Sequence, residues 1–116
     1  MKNFRTYEQA NLFYKECKEL RFVGPAQDQF KRALLSICLN LAEGSAKPTG
    51  KDRRRFYYIA LGSLREVQTI LDLHEYKTQF KKADRLGAMI YRLCQNPGAG
   101  PGSRVPGCQF PDCPKE

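Results

Sequence analysis

Between residues 26 and 45, Phe30, Ala33, Leu34, Ile37, Leu41 and Gly44 recur at the spacing of one helix face, and Leu35, Cys38, Leu39 and Ala42 carry the apolar stripe well beyond that face. A helix apolar over so much of its circumference has to be covered twice. Its own bundle buries one side, and a further subunit is expected on the other. Three more segments show helical periodicity. Thr6-Tyr7-Glu8-Gln9 reads as a capping box opening a helix over about 6 to 22, with Tyr7, Ala10, Phe13, Tyr14, Cys17 and Leu20 inside and Gly24-Pro25 ending the pattern. Thr49, with Asp52 in the first turn, predicts a third helix over about 50 to 75, its inner line being Phe56, Ile59, Ala60, Ser63, Val67, Ile70, Leu71 and His74. Thr78 is the expected cap of a fourth helix over about 79 to 95, with Phe80, Ala83, Leu86, Gly87, Ile90, Leu93 and Cys94 inside.

Alternation of the kind that marks strands persists nowhere, and the connections are short. The economical architecture is therefore an all-α, antiparallel up-down four-helix bundle spanning residues 1 to 96. From Pro97 to Glu116, nine of twenty residues are Gly or Pro, a composition that neither continues a helix nor builds a core, so this tail is expected to be flexible and dispensable for folding. With 116 residues the chain has room for one modest core. Met1-Lys2-Asn3-Phe4-Arg5 lacks the apolar stretch of a signal peptide, and no apolar run reaches the ~18 residues of a membrane span, which sets the expectation of a soluble cytoplasmic protein. Cys17 and Cys38 lie inside helical pattern and the total of five cysteines is odd, so reduced structural thiols are expected over a disulfide framework.

The formal net charge is +8, and charges in the tail cancel. An excess of that size on a small helical body favours polyanions: RNA, DNA or an acidic protein. Lys47, Lys51, Arg53, Arg54 and Arg55 crowd the start of the third helix, where outward-pointing backbone amides also attract phosphate and where the helix dipole gives cations no stabilising role. Lys81, Arg85 and Arg92, with Lys82 beside them, form a second basic stripe on the fourth helix. Tyr57 and Tyr58, adjoining the arginine run, are candidates for stacking on unpaired bases.

Two blocks mix small residues and a carboxylate into apolar helix: Asn40-Leu41-Ala42-Glu43-Gly44-Ser45 and Ala60-Leu61-Gly62-Ser63-Leu64-Arg65-Glu66. Such blocks suit helices that approach closely around a shared polar contact. Glu43 and Glu66 are expected to accept hydrogen bonds from Asn40, Ser45, Ser63 or backbone groups and so fix register. Gly62 costs a helix interior ~1 kcal/mol against alanine, and close helix or subunit packing is the expected compensation. A catalytic carboxylate pair is the weaker alternative. Its di-metal version would need Glu-x-x-His motifs, whereas the one histidine, His74, stands eight residues after Glu66. Cys94, Cys108 and Cys113 are spaced too irregularly for a zinc site, so neither metal nor cofactor is expected and the chain is read as non-enzymatic.

The paired blocks, an Asn-Leu-Ala-Glu-Gly closing the second helix and an Ala-Leu-Gly-Ser-x-x-Glu within the third, resemble the small four-helix-bundle proteins encoded in intervening sequences of bacterial 23S rRNA genes. Relatives of that family include the accessory variability protein of diversity-generating retroelements. The resemblance covers roughly residues 4 to 95. It implies a homo-oligomer, a pentameric barrel, and partners among RNA, DNA or a reverse transcriptase held through a positive surface. An interaction module for an acidic protein, without nucleic acid, is the alternative expectation.

Overall fold

The computed structural model describes residues 4 to 98, so the expectations placed on the tail, including Cys108 and Cys113, lie outside the described residues. Four helices follow one another: α1 (Arg5–Cys17), α2 (Pro25–Ser45), α3 (Gly50–Leu73) and α4 (Lys77–Gln95). They form the expected all-α bundle, elongated at 49 × 22 × 21 Å, with no strand among the described residues. Each helix runs against its sequence neighbours, and α4 closes the ring on α1. One end of the bundle thus collects the starts of α1 and α3 and the ends of α2 and α4.

α1 stops at Cys17, five residues short of the expected limit. The chain leaves the helix because Phe22 inserts into an aromatic cluster, its ring centroid 4.3 Å from Phe30, 4.9 Å from His74 and 5.3 Å from Tyr76. Gln27 replaces the lost helical bonds: its side-chain oxygen accepts from the Phe22 amide at 2.8 Å and its nitrogen donates to the Leu20 carbonyl at 3.3 Å. Burial of an aromatic ring here outweighs continued helix propensity. At the other end of α1, Thr6 is a fully buried helical residue and not the cap. The buried ring of Phe4, 6.3 Å from Tyr57, draws the helix start back past it.

α2 opens with Pro25 after Gly24, whose φ of 61° suits glycine, and α3 opens as predicted, with the Thr49 hydroxyl accepting from the Asp52 amide at 3.2 Å. The α3–α4 corner has no glycine or proline. Glu75 takes the left-handed conformation itself (φ 61°), the Tyr76 amide donates to the Leu71 carbonyl at 3.0 Å, and α4 starts at Lys77 with Tyr76 before it. Thr78 therefore lies within α4 and does not cap it.

The expected inner lines of α2 and α4 are buried, Phe80 only partly. In α3 the line is rotated. Tyr57, Leu64 and Gln68 are buried, whereas Ile59 is 46% exposed and Phe56 and Ser63 are half-buried. Gln68 tolerates burial because Arg65 donates to it at 3.0 Å and it donates to Asp84 at 3.2 Å. Polar identity hid Gln68 from a reading based on hydropathy.

Candidate nucleic-acid interface

The Arg53-Arg54-Arg55 run begins three residues after α3 does, and the helical turn sends its members to different places. Arg54 crosses to the neighbouring helix, where Nε donates to the Cys94 carbonyl at 2.7 Å and Nη2 to the Gln95 carbonyl at 3.4 Å. It caps the unsatisfied carbonyls that end α4, at the terminus where the helix dipole favours a cation. Arg53 lies half-buried, with Nη2 donating to the Tyr57 hydroxyl at 3.4 Å. Arg55 and Lys47 approach the Phe56 ring at 5.2 and 5.1 Å, and Lys47 also pairs with Glu43 at 3.2 Å. Lys51 is exposed. The arginine run is thus split between holding the helices together and facing solvent.

On α4, Lys81, Arg85 and Arg92 are exposed along one outer line. Lys82 turns toward α1 and grips both carboxylate oxygens of Glu16, at 2.8 and 3.0 Å. A cleft of about 410 Å³ lies between α1 and α4, lined by Leu12, Phe13, Leu86 and Met89 with Gln9, Glu16, Lys82 and Arg85. It continues into a second hollow lined by Arg5, Gln9, Met89 and Arg92. The ion pairs among the described residues, Lys47–Glu43 and Lys82–Glu16, leave Lys51, Arg55, Lys81, Arg85 and Arg92 without a carboxylate partner.

The two tyrosines have opposite fates. Tyr57 is fully buried and cannot stack on a ligand, while Tyr58 is 52% exposed. A further exposed tyrosine, Tyr91 at 48%, escaped the sequence reading although its place off the α4 inner line was a signal.

Glu43 and Glu66 do not form a buried pair. Glu43 stands on the surface with its side chain 57% exposed, and Glu66 is half-buried where Gln29 Nε2 donates to it. Gln29 and Glu43 are separated by about 21 Å of α2 at 1.5 Å per residue, so the carboxylates belong to different levels of the α2–α3 seam. The shared polar contact runs through Ser36 instead, a residue sequence reasoning passed over. Its hydroxyl lies 2.8 Å from that of Ser63, and Asn40 Nδ2 donates to the Ser36 carbonyl at 2.9 Å and hydroxyl at 3.0 Å. Ser45 turns back to the Ala42 carbonyl at 2.9 Å. Gly44 does permit close approach: a Cβ there would sit 2.8 Å from the Tyr57 ring. Gly62 does not, since among the described residues a Cβ there would meet nothing within 4 Å.

His74 is half-buried, its Nδ1 2.9 Å from the Ile70 carbonyl. Cys17, Cys38 and Cys94 are free and buried, and burial pushes their thiols up to about 12, 11 and 11, Glu16 adding to the rise at Cys17. Thiols held protonated at neutral pH pack as small apolar groups. No group of three His, Cys, Asp or Glu that could hold a metal ion occurs among the described residues, and no described helix is long and apolar enough to cross a membrane.

No curated protein and no solved structure matches the chain. A family does. The 23S rRNA-intervening sequence proteins match it over residues 2 to 95, which takes in all four helices and both small-residue blocks that carried the resemblance. By that match over most of its length, the chain belongs to the 23S rRNA-intervening sequence protein family.

Proposed function

We propose that this chain is a non-enzymatic, self-associating basic bundle that binds nucleic acid at the end where α1 and α3 start. The observation that carries the reading is the distribution of charge. The half of the bundle formed by residues 4–11, 36–61 and 85–98 holds eight Lys and Arg against three Asp and Glu. The other half, residues 12–35 and 62–84, holds nine against seven. Most of the +8 net charge therefore gathers at one end, where Lys51, Arg55 and Arg92 face solvent without carboxylate partners among the described residues. A field concentrated in this way draws polyanions and neutralises phosphates by counterion release. The test is binding of mixed single-stranded and duplex RNA and DNA across a salt series. Each lost phosphate contact should flatten the log–log slope by roughly 0.7 to 0.9, so a Lys51→Gln, Arg55→Gln, Arg92→Gln variant should bind more weakly with a visibly shallower slope. A wild-type protein that binds none of these at low salt refutes the reading.

Self-association is supported by Leu35 and Leu39, 46% and 57% exposed on α2, beside Ile59 and the open Gly62 of α3. A mid-helix glycine with no close neighbour among the described residues supports compensation by packing between chains. Light scattering checks this, and a monomer at micromolar concentration would remove it; five subunits, the number the family resemblance implies, is the outcome proposed. A second reading has its own support. The α1–α4 cleft joins an apolar floor to cationic walls, which suits an acidic protein segment, and a nucleoprotein such as a reverse transcriptase complex could offer both ligands.

A further inference from the structure

We infer that the outer side of the α3–α4 seam at the cationic end binds single-stranded nucleic acid, with unpaired bases stacked on Tyr58 and Tyr91. This deepens the nucleic-acid reading above and rests on it. The register brings the two tyrosines to the same stretch of the seam. Arg54 meets the carbonyls of Cys94 and Gln95, and the side chains of Leu64 and Arg65 close on Gly87, where a Cβ would lie 3.1 Å from each. Tyr58 stands one helical turn beyond Arg54 and Tyr91 one turn before Gln95, so both lie on the stretch of the seam that those two contacts bracket.

Neither tyrosine belongs to the core of the described residues. Their exposures of 52% and 48% leave about half of each side chain to solvent, and among the described residues neither packs on another aromatic. The Tyr91 hydroxyl accepts from Gln95 Nε2 at 3.2 Å, which orients the side chain. The buried line of each helix runs elsewhere, through Tyr57, Ala60 and Leu64 on α3 and Ile90, Leu93 and Cys94 on α4. Cations flank the pair on the α3 side, where Lys51 and Arg55 precede Tyr58, whereas Arg92 turns to the hollow between α1 and α4.

Exposed aromatic faces between phosphate-binding cations make a stacking platform for single strands. A duplex gains nothing from them, because its base faces are already covered by stacking and it presents only backbone to such a surface. The charge attracts either form, whereas the tyrosines act on one.

The experiment titrates labelled short single-stranded RNA, and the duplex of the same sequence, with the wild type, the Tyr58→Ala, Tyr91→Ala variant and the Tyr58→Phe, Tyr91→Phe variant, while circular dichroism and light scattering track fold and assembly. The alanine variant, which removes two stacks, should lose roughly 30-fold affinity or more for the single strand with the salt slope preserved, its duplex affinity unchanged. The phenylalanine variant should bind as the wild type does, since stacking uses the ring and not the hydroxyl. If the alanine variant keeps single-strand affinity, or loses duplex affinity equally, the platform is refuted while charge-based binding stands. A smaller assembly in the alanine variant overturns it too, by assigning the tyrosines to a subunit contact. Absence of all binding by the wild type removes this inference together with the function on which it rests.

Discussion

At the end of the bundle where α1 and α3 start, Lys51, Arg55 and Arg92 face water without a carboxylate partner among the described residues; at the opposite end Phe22, Phe30, His74 and Tyr76 close on one another, and the Tyr76 hydroxyl donates to the Arg21 carbonyl at 3.1 Å. The contrast separates two tasks. Concentrated like charge destabilises a compact state by self-repulsion, so the cationic end has to be held by specific contacts, whereas the aromatic end combines ring burial with nearly balanced charge. The Phe4 ring on Tyr57, Gly44 against Tyr57 and Arg54 on the end of α4 supply those contacts. Stability should consequently be lost most readily by substitutions at the aromatic end, and ligand binding by substitutions at the other.

The largest expected effect tests the aromatic end. Phe30 is 1% exposed and packs on Phe22, so Phe30→Ala should lower unfolding free energy by ~3–5 kcal/mol, measured by urea denaturation. Affinity for polyanions, measured where the variant is still folded, should not change. A loss below about 1 kcal/mol would show that this end does not anchor the bundle.

Next come neighbours within the arginine run. Arg54→Gln removes charge-assisted bonds to two α4 carbonyls and, the site being exposed, should cost about 1–2 kcal/mol, most visibly as earlier hydrogen exchange in the last turn of α4. Arg55→Gln should change stability by no more than about 0.5 kcal/mol and weaken polyanion binding instead. Equal stability losses in the two variants would erase the distinction between holding and binding arginines. Replacing all three arginines together would confound them.

How much of this was legible in the sequence depends on whether the deciding contact is local. The four helices, the Thr49 cap and the inner lines of α2 and α4 follow from spacing and cap chemistry, which neighbours in sequence settle. The early end of α1 was hidden because it depends on Phe22 meeting Phe30, His74 and Tyr76. The same holds for the rotated line of α3, where Gln68 is buried with partners three and sixteen residues away. Of the site, the basic clusters were visible as composition. Sequence could not sort Arg54 from Arg55 or Tyr57 from Tyr58, because consecutive residues sit about 100° apart on a helix and only the neighbouring helix decides which is covered. Tyr91 was overlooked for want of a motif around it.

The smallest expected effect lies at the cationic end and concerns its carboxylates. Glu43 belongs to the Asn-Leu-Ala-Glu-Gly block, yet its contact is an exposed i,i+4 pair with Lys47 at 3.2 Å. Pairs of that kind contribute about 0.3–0.5 kcal/mol, so Glu43→Gln should leave the unfolding midpoint almost unmoved. Lys47 would then be released beside Arg55 and the Phe56 ring, adding one unpaired charge to the end already richest in them. Polyanion affinity should rise by less than about tenfold at low salt, and the gain should fade as salt is added, because exposed charges are screened beyond a Debye length of about 8–10 Å. If Glu43→Gln instead broke the assembly, Glu43 would serve a subunit contact, and its place in the block would be explained by the neighbouring chain and not by its own.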